Sequence, residues 1–109
     1  DKVIQRIAKT IESHIDDSDL AVRFGGEEFV VIMPNKSIPA AKVTAEKIRT
    51  SIEQLKLIQR ETNTYLPTIS VSIGIAQNEN TLDWASLFKL ADDALYQAKN
   101  SGRNRCICA

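Results

Sequence analysis

The chain is poor in the residues that most constrain a backbone: four glycines, three prolines and two cysteines in 109 residues. So few cysteines exclude a disulfide framework. Cys106 and Cys108 lie two apart near the C-terminus, where an extended chain points both to one face. They read as small apolar residues of a terminal strand, and their scarcity suits a reducing, cytoplasmic compartment. His14 is the only histidine, too little to complete a zinc site with them. An excess of charge is missing too. Fourteen basic side chains balance fourteen acidic ones. That balance excludes a broad field for nucleic acid or an anionic membrane, so any anion site has to be local. No apolar run approaches the roughly 18 residues of a membrane span. There is no internal repeat or low-complexity tract, and Asp1-Lys2 leads into an amphipathic pattern rather than a signal peptide.

What remains fits one domain over residues 1–109. The hydrophobic fraction is 43%, and a chain of this size buries roughly 65% of its unfolded surface. Folding therefore needs neither a metal nor a disulfide. Val3, Ile4, Ile7, Ala8, Ile11 and Ile15 form a helical stripe, with Asp1 placed to cap it. After the polar break Asp16-Asp-Ser-Asp19, large apolar residues alternate at Leu20, Val22 and Phe24 as in a strand. Gly25 and Gly26 follow, then Glu27 and Glu28. Phe29-Val-Val-Ile-Met33 reads as a strand buried on both faces. Strand, Gly-Gly, strand predicts a hairpin.

Ser37 is placed as an N-cap with Pro39 in the first helical turn, ahead of the stripe Ala41, Ala45, Ile48, Ile52 and Leu55. A short strand is expected at 56–59 and a turn at 60–65. Thr68 to Ala76 alternates cleanly, with Ile69, Val71, Ile73 and Ile75 on one face and small residues on the other. Thr81 or Asp83 can cap a last helix, which stops at Gly102 before a strand over Arg105–Cys108. Tight hairpins with helices between them predict an α+β fold with a largely antiparallel sheet.

Three features carry possible chemistry. At the hairpin, neighbouring carboxylates repel, and an extended chain would send Glu27 and Glu28 to opposite faces, in different roles. A tight turn between strands is a rigid mount for a metal ligand, and the glycines before it let a bulky ligand approach. The bland alternative is a solvated Gly-Gly turn. Near the C-terminus, Lys99, Arg103 and Arg105 lie within seven residues, and no acid follows Asp93. The helix macrodipole accounts for Lys99 at about 0.3–1 kcal/mol. It accounts less well for the two arginines beyond Gly102. The run Asp16, Asp17, Asp19 lacks EF-hand spacing and reads as a solvated turn. His14 and Trp84 read as a partly exposed helix residue and a partly buried helix-start anchor. Lys89 is placed to pair with Asp92 or Asp93.

Arg23-Phe-Gly-Gly-Glu-Glu-Phe29 resembles the signature of the GGDEF diguanylate cyclases, in its Gly-Gly-Glu-Glu-Phe form. Further blocks resemble the same family, in family order: Val30-Val-Ile-Met-Pro34, Ala45-Glu-Lys-Ile-Arg49, Thr68-Ile-Ser-Val-Ser-Ile-Gly-Ile75 and Ala91-Asp-Asp-Ala-Leu-Tyr-Gln-Ala-Lys99, closing with Gly102-Arg-Asn104. The resemblance implies a palm-like nucleotide-cyclase fold, a central antiparallel sheet flanked by helices. It implies condensation of two GTP molecules to cyclic di-GMP and two pyrophosphates by a homodimer, with Mg2+ or Mn2+ as cofactor and bacterial second-messenger signalling as the purpose. By position, Glu27 would be a catalytic metal ligand that helps deprotonate the 3′-hydroxyl, and Glu28 the second signature acid. Gly25 and Gly26 would admit the nucleotide, Lys99 and Arg103 would hold its terminal phosphates, and Asp1 would hydrogen-bond the guanine edge.

Two departures qualify the resemblance. The family has a strand and a helix ahead of the position of Asp1, bearing a metal-binding aspartate and a guanine-binding asparagine. The expectation is a catalytic domain lacking that first strand and helix, impaired on its own, any membrane attachment lying in segments outside this chain. The family's Arg-x-x-Asp product-inhibition site reads Asp16-Asp-Ser-Asp19 here. An acid stands where arginine would clamp phosphate, so tight product binding is not expected. The alternative to an enzyme is a degenerate GGDEF domain acting as a GTP-binding or regulatory interaction module.

Overall fold

The computed structural model describes residues 2–59, 62–65, 68–78 and 82–109. The elements run α1 (Lys2–His14), β1 (Leu20–Gly25), β2 (Glu28–Ile32), α2 (Ile38–Glu53), β3 (Ile58–Gln59), β4 (Thr64–Tyr65), β5 (Ile73–Ile75), α3 (Trp84–Asn100) and β6 (Cys106–Cys108). The predicted α+β class and the element order both hold. Asp1, the predicted cap of α1, and Thr81 lie outside the described residues, as does part of the predicted 60–65 turn.

Helix α2 begins where the sequence says it must. The Ser37 side chain accepts from the Ala40 N–H, and Pro39 occupies the first turn, where its missing donor costs nothing. Its apolar stripe meets that of α1. Ile11, Ile48 and Ile52 form the buried centre, with Ile7, Ile15, Phe29, Val31 and Ile69 packed around it. Ile52 is wholly buried, a contribution of about 1.5–3 kcal/mol. The Asp83 carboxylate caps α3 by accepting from the Ser86 N–H at 2.8 Å.

Strands β1 and β2 form the predicted antiparallel hairpin, with Ala21↔Val31 and Arg23↔Phe29 in register and an irregularity between Arg23 and Gly25. The hairpin is covered on one face only, against the expectation of a β2 buried on both. Ala21, Phe29 and Val31 turn to the core, whereas Leu20, Val22 and Phe24 stay 55%, 41% and 56% exposed. The register puts Ile32 on the Leu20 side, so β2 is not buried on both faces. Alternation identified the strand, but the side facing α1 and α2 decides which set is covered.

The expected antiparallel sheet is also more divided. Among the described residues the strands pair as β1–β2, β3–β4 and β5–β6. The Thr68–Ala76 segment enters a ladder only over Ile73–Ile75, and its partner β6 runs parallel, with Ile73↔Cys106 and Ile75↔Cys108. Helix α3 lies between the two strands in sequence and returns the chain to the same end, the crossover that a parallel pair requires. Gly74 makes that crossover tight. A Cβ there would land on the backbone of Ala91 and Leu95.

Candidate functional site

The hairpin tip is a two-residue turn, Gly26-Glu27, closed by the Gly25↔Glu28 pair. Gly26 has φ +51°, a conformation that glycine adopts without strain. Gly25 has no such need, and a Cβ at either glycine would meet nothing within 4 Å. Internal packing therefore does not explain why position 25 lacks a side chain. The Arg23 guanidinium holds the turn, donating to the Gly26 carbonyl through Nε at 2.9 Å and Nη2 at 2.6 Å. Sequence reasoning missed Arg23. Its signal was a cation three residues before the turn residue whose carbonyl it meets. Glu27 and Glu28 are both exposed.

Phe24, next to the tip, lies on Phe88 of α3 with ring centroids 5.0 Å apart. Phe88 in turn meets Trp84 at 5.8 Å, so Trp84 anchors the helix start while remaining 52% exposed. The hairpin is thereby fixed to the front half of α3. Lys99 lies on the last turn of the same helix, about 16 Å further along at 1.5 Å per residue. A ligand touching both ends has to be elongated.

Beyond Lys99 the chain reverses. The Arg103 N–H donates to the Ala98 carbonyl at 2.9 Å across Gly102 at φ +126°, the six-to-one closure of a Schellman motif. Arg103 and Asn104 remain left-handed, at φ +61° and +46°. The three predicted cations separate here. Arg105 folds back, its Nε donating to the Arg103 carbonyl at 3.1 Å and its guanidinium covering Gly102. Lys99 and Arg103 are exposed.

Asn104 links this turn to α2. Its Oδ1 accepts from Arg49 Nη1 at 3.0 Å, its amide donates to Glu53, and its backbone N–H donates to Ser72 Oγ at 3.2 Å. Arg49 also pairs with Glu46 at 2.9 Å, which holds the Glu46 carboxyl below its usual range. Burial, helped by a hydrogen bond to Glu46, pushes the Cys106 thiol up to about 12. Partners 51 and 55 residues apart leave no local signature, so the sequence did not show this network.

The acidic run corrects an expectation. It is not merely a solvated turn, because Lys36 Nζ lies 2.9 Å from Asp16 and 2.8 Å from Asp19, whose side chain is 1% exposed. Asp16 also accepts from the Ser18 hydroxyl at 2.6 Å. That bond first, and Lys36 second, lower its carboxyl from 3.8 to about 2. The predicted pair Lys89–Asp93 is present at 3.1 Å, and half-buried His14 bonds Ser51 Oγ at 2.9 Å. Asp1 lies outside the described residues.

A hard divalent cation fits the donor type at the tip. Glu27 and Glu28 offer carboxylate oxygens on an open turn, and magnesium is commonly held by one or two carboxylates together with substrate phosphates. Among the described residues no group of three or more His, Cys, Asp or Glu forms a metal cage. A cavity of about 210 Å³ lies elsewhere, lined by Leu55, Lys56, Tyr65 and Thr68.

Residues 1–105 match the family described as "Diguanylate cyclase, GGDEF domain". The chain is 42% identical over 109 residues to diguanylate cyclase DgcM of Escherichia coli K12, covering all of this chain and 25% of that protein. It superposes on the GGDEF domain of DgcB from Caulobacter crescentus, solved with c-di-GMP, with a TM-score of 0.94, 36% identity, and coverage of 98% of this chain and 63% of that one. The active GGEEF domain of a Vibrio cholerae diguanylate cyclase gives 0.86 and 32%, covering 98% and 66%. The fold is thus the palm-like cyclase fold of those domains. The chain spans about a quarter of the length of its DgcM relative.

Proposed function

The chain belongs to the GGDEF family of diguanylate cyclases, and on that premise we propose that it is a catalytic domain that condenses two GTP molecules into cyclic di-GMP, releasing two pyrophosphates. In the reaction each GTP 3′-hydroxyl attacks the α-phosphate of the other, so two copies of the domain face one another, each holding one nucleotide. The observation that carries this reading is Gly25. Neither its backbone nor its surroundings demand glycine, and a ligand lying against the tip does.

Each residue has a role within that proposal. Gly25 and Gly26 admit the nucleotide, Glu27 accepts the 3′-hydroxyl proton, and Glu28 supplies the second carboxylate. Lys99 and Arg103 receive the terminal phosphates at the far end of α3, which suits an elongated triphosphate. Asp1 remains a proposed partner of the guanine edge. Mg2+ or Mn2+, held through Glu27, would when bound lower the hydroxyl pKa and neutralise phosphate charge. The protein's own work is orientation and charge placement. The scarce cysteines favour a reducing, cytoplasmic site, and no helix among the described residues is long and apolar enough to cross a membrane.

Two finer points belong to the proposal. The 109-residue chain turns over poorly alone, because among the described residues no third His, Cys, Asp or Glu joins Glu27 and Glu28 to complete a metal-binding group. Product does not bind tightly at Asp16–Asp19, because Lys36 is already shared by both carboxylates. Calorimetry with cyclic di-GMP checks the second point, and submicromolar binding that Asp19→Ala removes would overturn it.

Replacing Glu27 with Gln in a longer protein carrying this domain tests the enzymatic role. Cyclic di-GMP formation should fall at least about 100-fold, the low end for a lost general base, with the melting temperature unchanged because Glu27 is exposed. Activity that survives the change refutes the catalytic assignment. No turnover in the parent, with GTP still bound, would indicate a nucleotide-binding module instead.

A further inference from the structure

Arg103 combines a fixed backbone with an uncommitted side chain. Its N–H is held by the Ala98 carbonyl at 2.9 Å, and its own carbonyl by Arg105 Nε at 3.1 Å. The next residue is held at both backbone and side chain, by Ser72, Arg49 and Glu53. The Arg103 side chain is exposed, and its guanidinium makes no hydrogen bond or ion pair with any described residue.

Ending α3 does not require so much. Gly102 and the Arg103–Ala98 bond already stop the helix. What they leave unexplained is why two further residues, each with a Cβ, stay left-handed, a conformation disfavoured for side-chain-bearing residues. The Asn104 amide supplies the reason. One end accepts from a cation on α2 and the other donates to a carboxylate one helical turn further along. An amide is suited to this position because it meets a donor and an acceptor at once. Asparagine is also among the residues that best tolerate the left-handed region.

We infer that Asn104 is a positioning residue: clamped between Arg49 and Glu53, it locks the left-handed turn that presents the Arg103 guanidinium to the polyphosphate of a bound nucleotide. The inference rests on the nucleotide reading proposed above and adds to it the device that holds the phosphate end still. Preorganisation of this kind fixes the backbone origin of the arginine, so that only its side chain has to order on binding.

The test uses the 109-residue chain, with magnesium pyrophosphate as the calorimetric probe. Asn104→Gly keeps the left-handed backbone accessible and deletes the bridge. It should weaken pyrophosphate binding about tenfold, the order expected for lost hydrogen bonds to charged groups. Asn104→Asp sets a carboxylate against Glu53 and should weaken binding as much. Adding Glu53→Gln to Asn104→Asp restores one donor and one acceptor at the same net charge, and should return affinity to within about threefold of wild type. In an Arg103→Ala background none of these changes should alter affinity further.

If Asn104→Gly lowers the melting temperature but leaves pyrophosphate affinity alone, the inference fails. It fails equally if the loss persists undiminished without Arg103, or if the double variant is not rescued. A wild-type chain that binds no pyrophosphate would defeat the nucleotide reading, and the turn is then judged by heteronuclear NOEs of the Gly102–Arg105 amides. Values that fall in Asn104→Gly and recover in the double variant uphold the lock. Values unchanged in Asn104→Gly overturn it.

Discussion

The hairpin tip and the turn after α3 both reverse the chain through a glycine at positive φ, yet they are built in opposite ways. Nothing lies within 4 Å of where a side chain would stand at Gly25 or Gly26, and one arginine holds the turn. The C-terminal turn is held by Ala98, Ser72, Arg49, Glu53 and Arg105. On the nucleotide-binding proposal, the contrast follows from what each turn would present. A surface that a flat ligand lies against needs empty space and a stiff main chain. A charge that meets a phosphate at the end of a long side chain needs a fixed origin, because arginine carries many rotamers to be ordered.

Glycine substitutions separate the two designs. The largest effect is expected at Gly74, beneath the middle of α3, where a Cβ meets the backbone of Ala91 and Leu95 rather than a movable side chain. Gly74→Ala forces β5 and α3 apart and should cost about 3 kcal/mol or more. Thermal melting checks it, and a loss below about 1 kcal/mol would mean that the crossover is not tight.

Gly102→Ala and Gly25→Ala form the next pair. At Gly102 the neighbour is the mobile end of Arg105, so the main penalty is the backbone at φ +126°, of order 1–3 kcal/mol. Gly25→Ala should leave stability within about 0.5 kcal/mol but weaken GTP binding. Stability measured by urea denaturation and affinity measured by calorimetry should therefore move in opposite patterns. Equal stability losses at the two sites would erase the distinction between the open tip and the clamped turn.

How much of this the sequence shows depends on the range of the contact. Helix α1 is legible from its stripe, and α2 and α3 from stripes and caps, because Ser37, Pro39, Asp83 and Gly102 act on residues a few positions away. The hairpin is legible from Gly25-Gly26 and its flanks. The extent and direction of β5 pairing are not, because alternation over 68–76 records a buried face and says nothing of a partner beyond residue 100. The same limit hid Asn104 among Arg49, Glu53 and Ser72, and Lys36 between Asp16 and Asp19. The family resemblance is what proposes roles for Glu27, Lys99 and Arg103. It did not indicate that Arg105, equally basic and two residues on, is occupied within its own turn.

The smallest expected effect concerns a third exposed turn, which lies between the two extremes. The Asp16–Asp19–Lys36 cluster is braced, but by charge, and charge can be titrated away. The Asp16 carboxyl lies at about 2 in the folded chain against an ordinary 3.8, held there by the Ser18 hydroxyl and then by Lys36. A lowered folded value means that the unfolded chain binds the proton more readily. The stabilisation is therefore complete above about pH 4 and lost as pH falls toward 2. Asp16→Asn cannot lose what it never had, so the melting-temperature gap between wild type and Asp16→Asn should narrow across that window. Because the Asp16 side chain is 60% exposed, the gap should also shrink in high salt, whereas Gly74→Ala, a steric fault, should respond to neither pH nor salt. A gap that stays constant from pH 4 to pH 2 would show that Asp16 braces its turn through shape, as Gly102 does, and not through charge.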